Sequence, residues 1–239
     1  MSSPNQQTSA PKDALVVRGG WEGHQPVEAT DLFVPFLEAN GYDVRIEGSP
    51  SVYVDAGYMR SVDLIVQSVS MGTIEDAEVA GLRSAVEAGA GFAGWHGGIV
   101  DSYRGSAEYL QLVGGQFVAH PGKAAEELTG GSSDNDRRHT IRLMPSAATH
   151  PITRGLGDVE LTTEQYWVLT DAYNDVLATT TQPARPGDPW HREITCPAVW
   201  TRRWGAGRVF VATPGHSPEV LREPTVRAMI ERGLLWASR

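Results

Sequence analysis

The chain has a single cysteine, Cys196, in 239 residues. One thiol excludes an internal disulfide and any metal site built from several thiolates. It precedes Pro197 in an expected strand and reads as a structural thiol. No apolar run approaches the roughly 18 residues that a membrane-spanning helix requires, and residues 1–12 lack the basic and apolar segments of a secretory signal. A cytoplasmic protein is therefore expected. Positive charge is also short, because 20 Lys and Arg stand against 29 Asp and Glu and leave a formal charge of −9. A surface of that sign repels phosphate backbones and anionic lipid, so neither nucleic acid nor membrane is expected as a partner. A small neutral ligand suits it better. Internal repeats and a contiguous H-x-x-x-H pair are likewise missing.

What is present suffices for one domain. A hydrophobic content of 41% over this length can bury a sizeable core. Residues 1–12 (MSSPNQQTSAPK) are too polar to repay the entropy of ordering and are expected as a loose tail, with 13–239 as a single domain. Ala14–Val17 reads as a buried strand, and the glycine-rich loop 18–24 follows it. Helical spacing through Phe33, Phe36 and Leu37 ends at Asn40-Gly41, with Pro35 expected to kink it. Val44 and Ile46 alternate as a strand, and residues 62–66 form a continuous apolar one. Thr73 and Asp76 resemble a capping pair for a helix carrying Val79, Leu82 and Val86. A strand at 91–95 and a short helix at 106–113 come next.

The order strand, helix, strand, helix, strand argues for a parallel sheet with helices on both faces. Ligands of such sheets sit at the carboxyl ends of the strands. Residues 116–200 change character, with strand-like pieces at 140–143, 166–169 and 176–180, and read as a β-rich insertion within the domain. A buried strand returns at 207–212. Pro224 then opens a last helix whose apolar stripe is Val226, Met229, Ile230 and Leu234.

The chain is organised around Gly91-Phe-Ala-Gly-Trp-His-Gly-Gly98. A short apolar strand stops in a glycine turn with an imidazole at its tip, the layout of a nucleophile elbow in which His96 stands where Ser or Cys would stand. This places His96 exposed above the sheet edge and assigns positive φ to Gly97 and Gly98. His24, His96 and His216 each follow an expected parallel strand beside glycine, so all three should share one edge, as acid/base groups or as neutral metal ligands. His120, in Phe117-Val-Ala-His-Pro121, can join them. A divalent metal such as zinc could be held by His24, His96 and His120 with an open fourth position.

In Thr163-Glu-Gln-Tyr166, Glu164 and Tyr166 share a strand face that could address a polyol or simply face water. Trp21 and Trp95 flank the expected site as aromatic faces for a sugar, whereas Trp167 and Trp190 read as core. His150 reads as a loop or cap residue, and His139 and His191 as solvated.

Gly94-Trp-His-Gly-Gly98, the stretch Leu112–Pro121 (LVGGQFVAHP), His150-Pro-Ile-Thr-Arg-Gly-Leu156, Glu164-Gln-Tyr166 and Trp204–Phe210 with Pro214-Gly-His216 together resemble the ThuA-like, trehalose-utilisation family. The resemblance spans most of residues 13–238. It implies the class I glutamine amidotransferase-like fold, with a flavodoxin-like sheet, and puts His96 at the place of the amidotransferase cysteine. His216-Ser-Pro-Glu219 resembles the His-Pro-Glu of those enzymes with one residue inserted, which leaves Glu219 open as a partner. The acidic pair common in the family is reduced here to Glu164.

The implied function is carbohydrate metabolism on trehalose or a related sugar or keto-sugar. His96 and His216 would move protons and Glu164 would orient one of them, while Trp21, His24, Trp95, Gly97, Gly98, His120 and Tyr166 would line the ligand. The alternative is a non-catalytic sugar-binding or assembly protein on the same scaffold, and a homo-oligomer stays open. Glutamine hydrolysis needs a thiol that the elbow lacks.

Overall fold

The computed structural model describes residues 11–121, 123 and 127–239. Residues 1–10 of the expected tail lie outside the described residues, and Lys12 already opens the first strand. In chain order, β1 (Lys12–Gly20) leads through α1 (Pro26–Asp31) and α2 (Val34–Ala39) to β2 (Tyr42–Glu47). Next come α3 (Ala56–Met59), β3 (Val62–Ser70), α4 (Asp76–Glu87), β4 (Gly91–Trp95), α5 (Gly97–Val100) and α6 (Ala107–Val113). The β-rich stretch supplies β5 (Gly115–Ala119), β6 (Asp136–Leu143), β7 (Val159–Glu164), β8 (Trp167–Thr170), β9 (Asp175–Gln182) and β10 (Ile194–Trp204). The chain closes with β11 (Gly207–Ala212), α7 (Pro218–Arg222) and α8 (Pro224–Ala237).

Nine strands form one sheet in the order β2-β1-β3-β4-β11-β10-β9-β6-β7. The first five pair in parallel and reproduce the 2-1-3-4-5 order of flavodoxin-like sheets. From β11 onward every pairing is antiparallel, so the β-rich stretch extends the central sheet. The remaining strands, β5 and β8, form a separate antiparallel pair.

Alternation along the strands divides the core between two faces. On β1, Ala14 and Val16 face Phe33, Leu37, Met229 and Leu234. Leu15 and Val17 face the opposite side, which Leu82, Val86, Tyr109 and Leu112 cover. Central β3 is buried along almost its whole length, as expected for a strand covered on both faces.

The interruption expected at Pro35 is present: the helix after β1 breaks at Leu32–Phe33, because Pro35 has no N–H and is accommodated only in the first turn of a restarted helix. Two local expectations are corrected. The start of α4 is capped by Glu75 and Glu78, with the Glu75 N–H donating to the Glu78 carboxylate at 2.8 Å, and not by Thr73 and Asp76. His139, on β6, is half-buried with its Nδ1 donating to the Arg137 carbonyl at 2.9 Å; it is not a freely solvated side chain. His191 is exposed and Cys196 buried, as expected. Among the described residues no helix is long and apolar enough to cross a membrane.

The stripe of α8 gives a direct check on this packing. Leu234 is fully buried while its neighbour Leu235 is 38% exposed. Leu234→Ala should cost about 2–5 kcal/mol and Leu235→Ala no more than about 0.5 kcal/mol, as read by urea unfolding. Equal losses would contradict the orientation of the helix.

Candidate functional site

Three parallel strands deliver three imidazoles to their carboxyl ends. His24 lies in the single turn after β1, His96 directly after β4, and His216 in the loop after β11. The ring centroids are 4.8 Å apart for His24 and His96, 5.4 Å for His24 and His216, and 5.3 Å for His96 and His216. The shared edge expected from the sequence is thus present.

The elbow differs in detail from the sequence expectation. Positive φ falls on His96 itself, at φ 49° and ψ −144°, a conformation that costs a non-glycine residue of order 1–3 kcal/mol. Neither Gly97 nor Gly98 has positive φ. They are required for space, because a Cβ on Gly97 would lie 2.3 Å from Cε1 of His24, and one on Gly98 would lie 2.8 Å from Cα of Ser68. His96 is also buried, at 1% exposure, with the Tyr166 ring stacked on its own at 4.1 Å.

A carboxylate from the far edge of the sheet completes the cluster. Glu164 ends β7, and the turn that follows is tied to β9 by Gln165 Nε2 donating to Thr180 Oγ1 at 2.7 Å and Gln182 Nε2 donating to the Tyr166 carbonyl at 2.9 Å. Glu164 Oε2 then lies 3.1 Å from His96 Nε2 and 3.1 Å from His216 Nδ1. Its Oε1 faces Asn135 Nδ2 at 3.4 Å and His120 Nε2 at 3.6 Å. The solvated-edge reading of Glu164 is overturned. Glu219, by contrast, is exposed beside Arg222, so the carboxylate facing His216 is Glu164.

Hydrogen-bond partners fix the protons. A carbonyl can only accept, so His96 Nδ1 carries the hydrogen that it donates to Thr213 O at 2.8 Å. In the neutral ring Nε2 is then a lone pair, and the Tyr166 hydroxyl donates to it at 2.7 Å. Burial holds His96 below its ordinary value although Glu164 opposes this. Burial also opposes charge on Glu164, but the hydrogen bond from His216 and the electrostatic pull of the surrounding imidazoles outweigh it and keep the carboxyl well below the usual carboxylate range. His216 is disfavoured by burial too, yet Glu164 raises its pKa above 6.5. Burial, with His96 and His216 adding to it, lowers His24 to about 3, and His24 Nδ1 meets Ser70 Oγ at 2.5 Å. His120 is lowered chiefly by burial, and Tyr166 is raised well above 10 by burial and Glu164, which keeps it a donor.

The remaining expectations divide. Trp21 is 47% exposed with its ring 4.8 Å from that of His24, at the rim of the cluster. Trp95 is 2% exposed and packs on Phe33 at 4.8 Å, in the core on the opposite side of the strand, so it offers no face to a ligand. The Trp167 and Trp190 rings meet each other at 5.1 Å. His150 accepts from the Ile152 N–H at 3.3 Å, as a turn residue.

Of the metal triad expected from the sequence, His120 does not converge with the other two. One donor atom each from His24, His96, Glu164 and His216 lies within 4.8 Å of all the rest, while His120 meets the outer carboxylate oxygen. Ser70, Asn135 and Phe117, whose ring lies 4.4 Å from Tyr166, were not singled out by the sequence. Extending the third strand beyond Val66 would have brought Ser70 to the same edge as His24.

The family model for ThuA, described as trehalose utilisation, matches residues 13–237. A ThuA-like protein of Bacteroides uniformis superposes with a TM-score of 0.71 at 16% identity, covering 99% of this chain and 95% of that one. A ThuA-like protein of Parabacteroides merdae gives 0.70 at 16% identity over 95% and 90%. A cytoplasmic protein of Salmonella typhimurium gives 0.61 at 13% identity over 95% and 100%. At these identities the likeness is one of fold. A comparison with curated proteins returns no match.

The lowered histidines set an acid limb of stability. Unfolded, His24 takes up its proton near pH 6.5, but folded it does so only near pH 3, so falling pH favours unfolding across that window. His216 acts in the opposite sense, because its raised pKa contributes stability below about 6.5 that is lost as pH rises through its folded value. The depressed carboxyl of Glu164 contributes above about 4.3 and loses this only as pH falls through its folded pKa. In chelator-treated protein, His24→Asn should therefore flatten the loss of stability between about pH 6.5 and 3, measured by urea unfolding at several pH values. An unchanged limb would remove His24 as its source.

Proposed function

The chain belongs to the ThuA family, and from that premise we propose that it is an enzyme of carbohydrate metabolism that transfers protons on a neutral sugar or keto-sugar related to trehalose. The observation that carries the reading is the buried Glu164 carboxylate set between the Nε2 lone pair of His96 and the Nδ1 of His216. One imidazole poised to accept a proton and one poised to give it, a few ångströms apart, is the pairing that general acid–base chemistry requires.

In this reading His96 accepts a proton from a substrate hydroxyl, or from the carbon beside a carbonyl, and the adjacent Glu164 stabilises the imidazolium that forms. His216 supplies a proton to the oxygen that gains electron density. Tyr166, unable to ionise near neutral pH, hydrogen-bonds to that same oxygen. Trp21 provides an apolar face for a sugar ring at the rim, where His120 and His216 are half-buried. The acidic net charge and the family's description both favour a neutral sugar over an anionic ligand.

Because His96 is buried, the informative change is one that keeps a donor for Thr213 O and removes Nε2. His96→Asn should retain the far-UV circular dichroism of the wild type and lower turnover by roughly 10²–10⁴-fold, in assays with trehalose, related disaccharides and their keto derivatives. Glu164→Gln should lose activity in the same range. A wild type that binds one of these sugars and never transforms it would replace this reading with that of a sugar-binding protein.

A further inference from the structure

The innermost atoms of the cluster are arranged in a way that hydrogen bonding alone does not account for. His96 Nε2, Glu164 Oε2 and His216 Nδ1 form a nearly equilateral triangle with edges of 3.1, 3.1 and 3.3 Å. His96 donates from Nδ1 to Thr213 O, so in the neutral ring a nitrogen lone pair points at a carboxylate oxygen. Two acceptors face each other at that distance favourably only with a positive centre between them. Ligand atoms on metal bonds of about 2.0–2.1 Å are separated by about 3.3–3.4 Å at tetrahedral angles and by about 2.9 Å at right angles. The observed edges fall within this interval.

His24 brings a fourth donor atom within 4.8 Å of the other three, somewhat beyond the roughly 4.2 Å that two such ligands can span across one ion, so it completes the shell by moving inward. Two of the imidazoles have their second nitrogen engaged from outside, His96 by Thr213 O and His24 by Ser70 Oγ, the arrangement that orients metal-bound histidines. The outer oxygen of Glu164 is turned to Asn135 and His120, which leaves Oε2 for the interior. Three imidazoles and one carboxylate suit first-row transition ions, whereas calcium and magnesium prefer all-oxygen sites.

We propose that His24, His96, Glu164 and His216 bind one divalent first-row transition cation, zinc or manganese, at the carboxyl ends of β1, β4 and β11. His120 is not a ligand. It positions Glu164 through the outer oxygen. The competing arrangement is a shared proton, with His216 Nδ1–H donating to Glu164 and Tyr166 alone satisfying His96. The proposal does not rest on the sugar reading, and it excludes proton transfer at His96 Nε2 and His216 Nδ1 while the ion is bound, since one nitrogen cannot do both; metal content is measured without substrate, so either reading can fail alone.

The test is direct. Chelator-treated wild type is incubated with zinc chloride or manganese chloride, freed of excess ion by gel filtration and analysed by plasma mass spectrometry. About one equivalent of one of the two ions per chain is expected. Glu164→Gln and His216→Ala should retain less than a tenth of this, and His150→Ala, outside the cluster, should match the wild type. Ser70→Ala should weaken affinity by about 10–100-fold. If the cluster variants do not fold, X-ray absorption of the metal-loaded wild type decides, with imidazole scattering expected in the first shell. A wild type that retains neither ion, retention that survives Glu164→Gln and His216→Ala in folded protein, or a first shell of oxygens alone would overturn the proposal.

Discussion

The constraint on which the arrangement depends is the ionised carboxylate of Glu164, 6% exposed. A buried charge is tolerated only when paired and hydrogen-bonded, and here the partners come from widely separated parts of the chain. His96 and His216 belong to the parallel half of the sheet, whereas Glu164 belongs to its opposite edge. The antiparallel strands β10, β9, β6 and β7 do more than widen the sheet. They carry the one acidic group of the cluster back over the ends of β4 and β11, where the amides of Gln165 and Gln182 hold its turn.

The second constraint is backbone strain at the elbow. His96 keeps an unfavourable φ because its N–H donates to Ala212 O at 2.7 Å and its ring to Thr213 O at 2.8 Å, so β11 holds β4's terminal residue at both ends. Gly97 and Gly98 allow His24 and Ser68 to come within van der Waals distance of the turn. The hydrogen bond from Nδ1 to Thr213 O fixes which nitrogen of His96 faces the carboxylate.

Much of the parallel half was legible because its signals are local. Continuous apolar runs at 14–17, 62–66, 91–95 and 207–212 each match a buried strand. The glycine-flanked histidines after three of them end at one edge because parallel strands share a direction. Pro224 and the spacing of Val226, Met229, Ile230 and Leu234 marked α8. The β-rich stretch was harder to resolve. Strand β7 shows alternate burial with polar residues on both faces, and β5 is short and follows a helix at once, so neither carries a strong periodic signal.

Sequence by itself determined the family resemblance, a parallel sheet in the first half, the glycine turn at His96 and the candidate histidines. The sheet, the turn and the histidines follow from patterns of one to ten residues, and the family from several such patterns in a fixed order along the chain. Only the tertiary structure decided that Glu164 is a buried charge, that His120 meets its outer oxygen, that Trp95 faces the core and that positive φ belongs to His96 and not to its glycines. Each of these depends on which side of a strand a side chain takes and on what a distant part of the chain places against it. Spacing along the chain cannot encode that proximity, because it is set by how the two halves of the sheet meet.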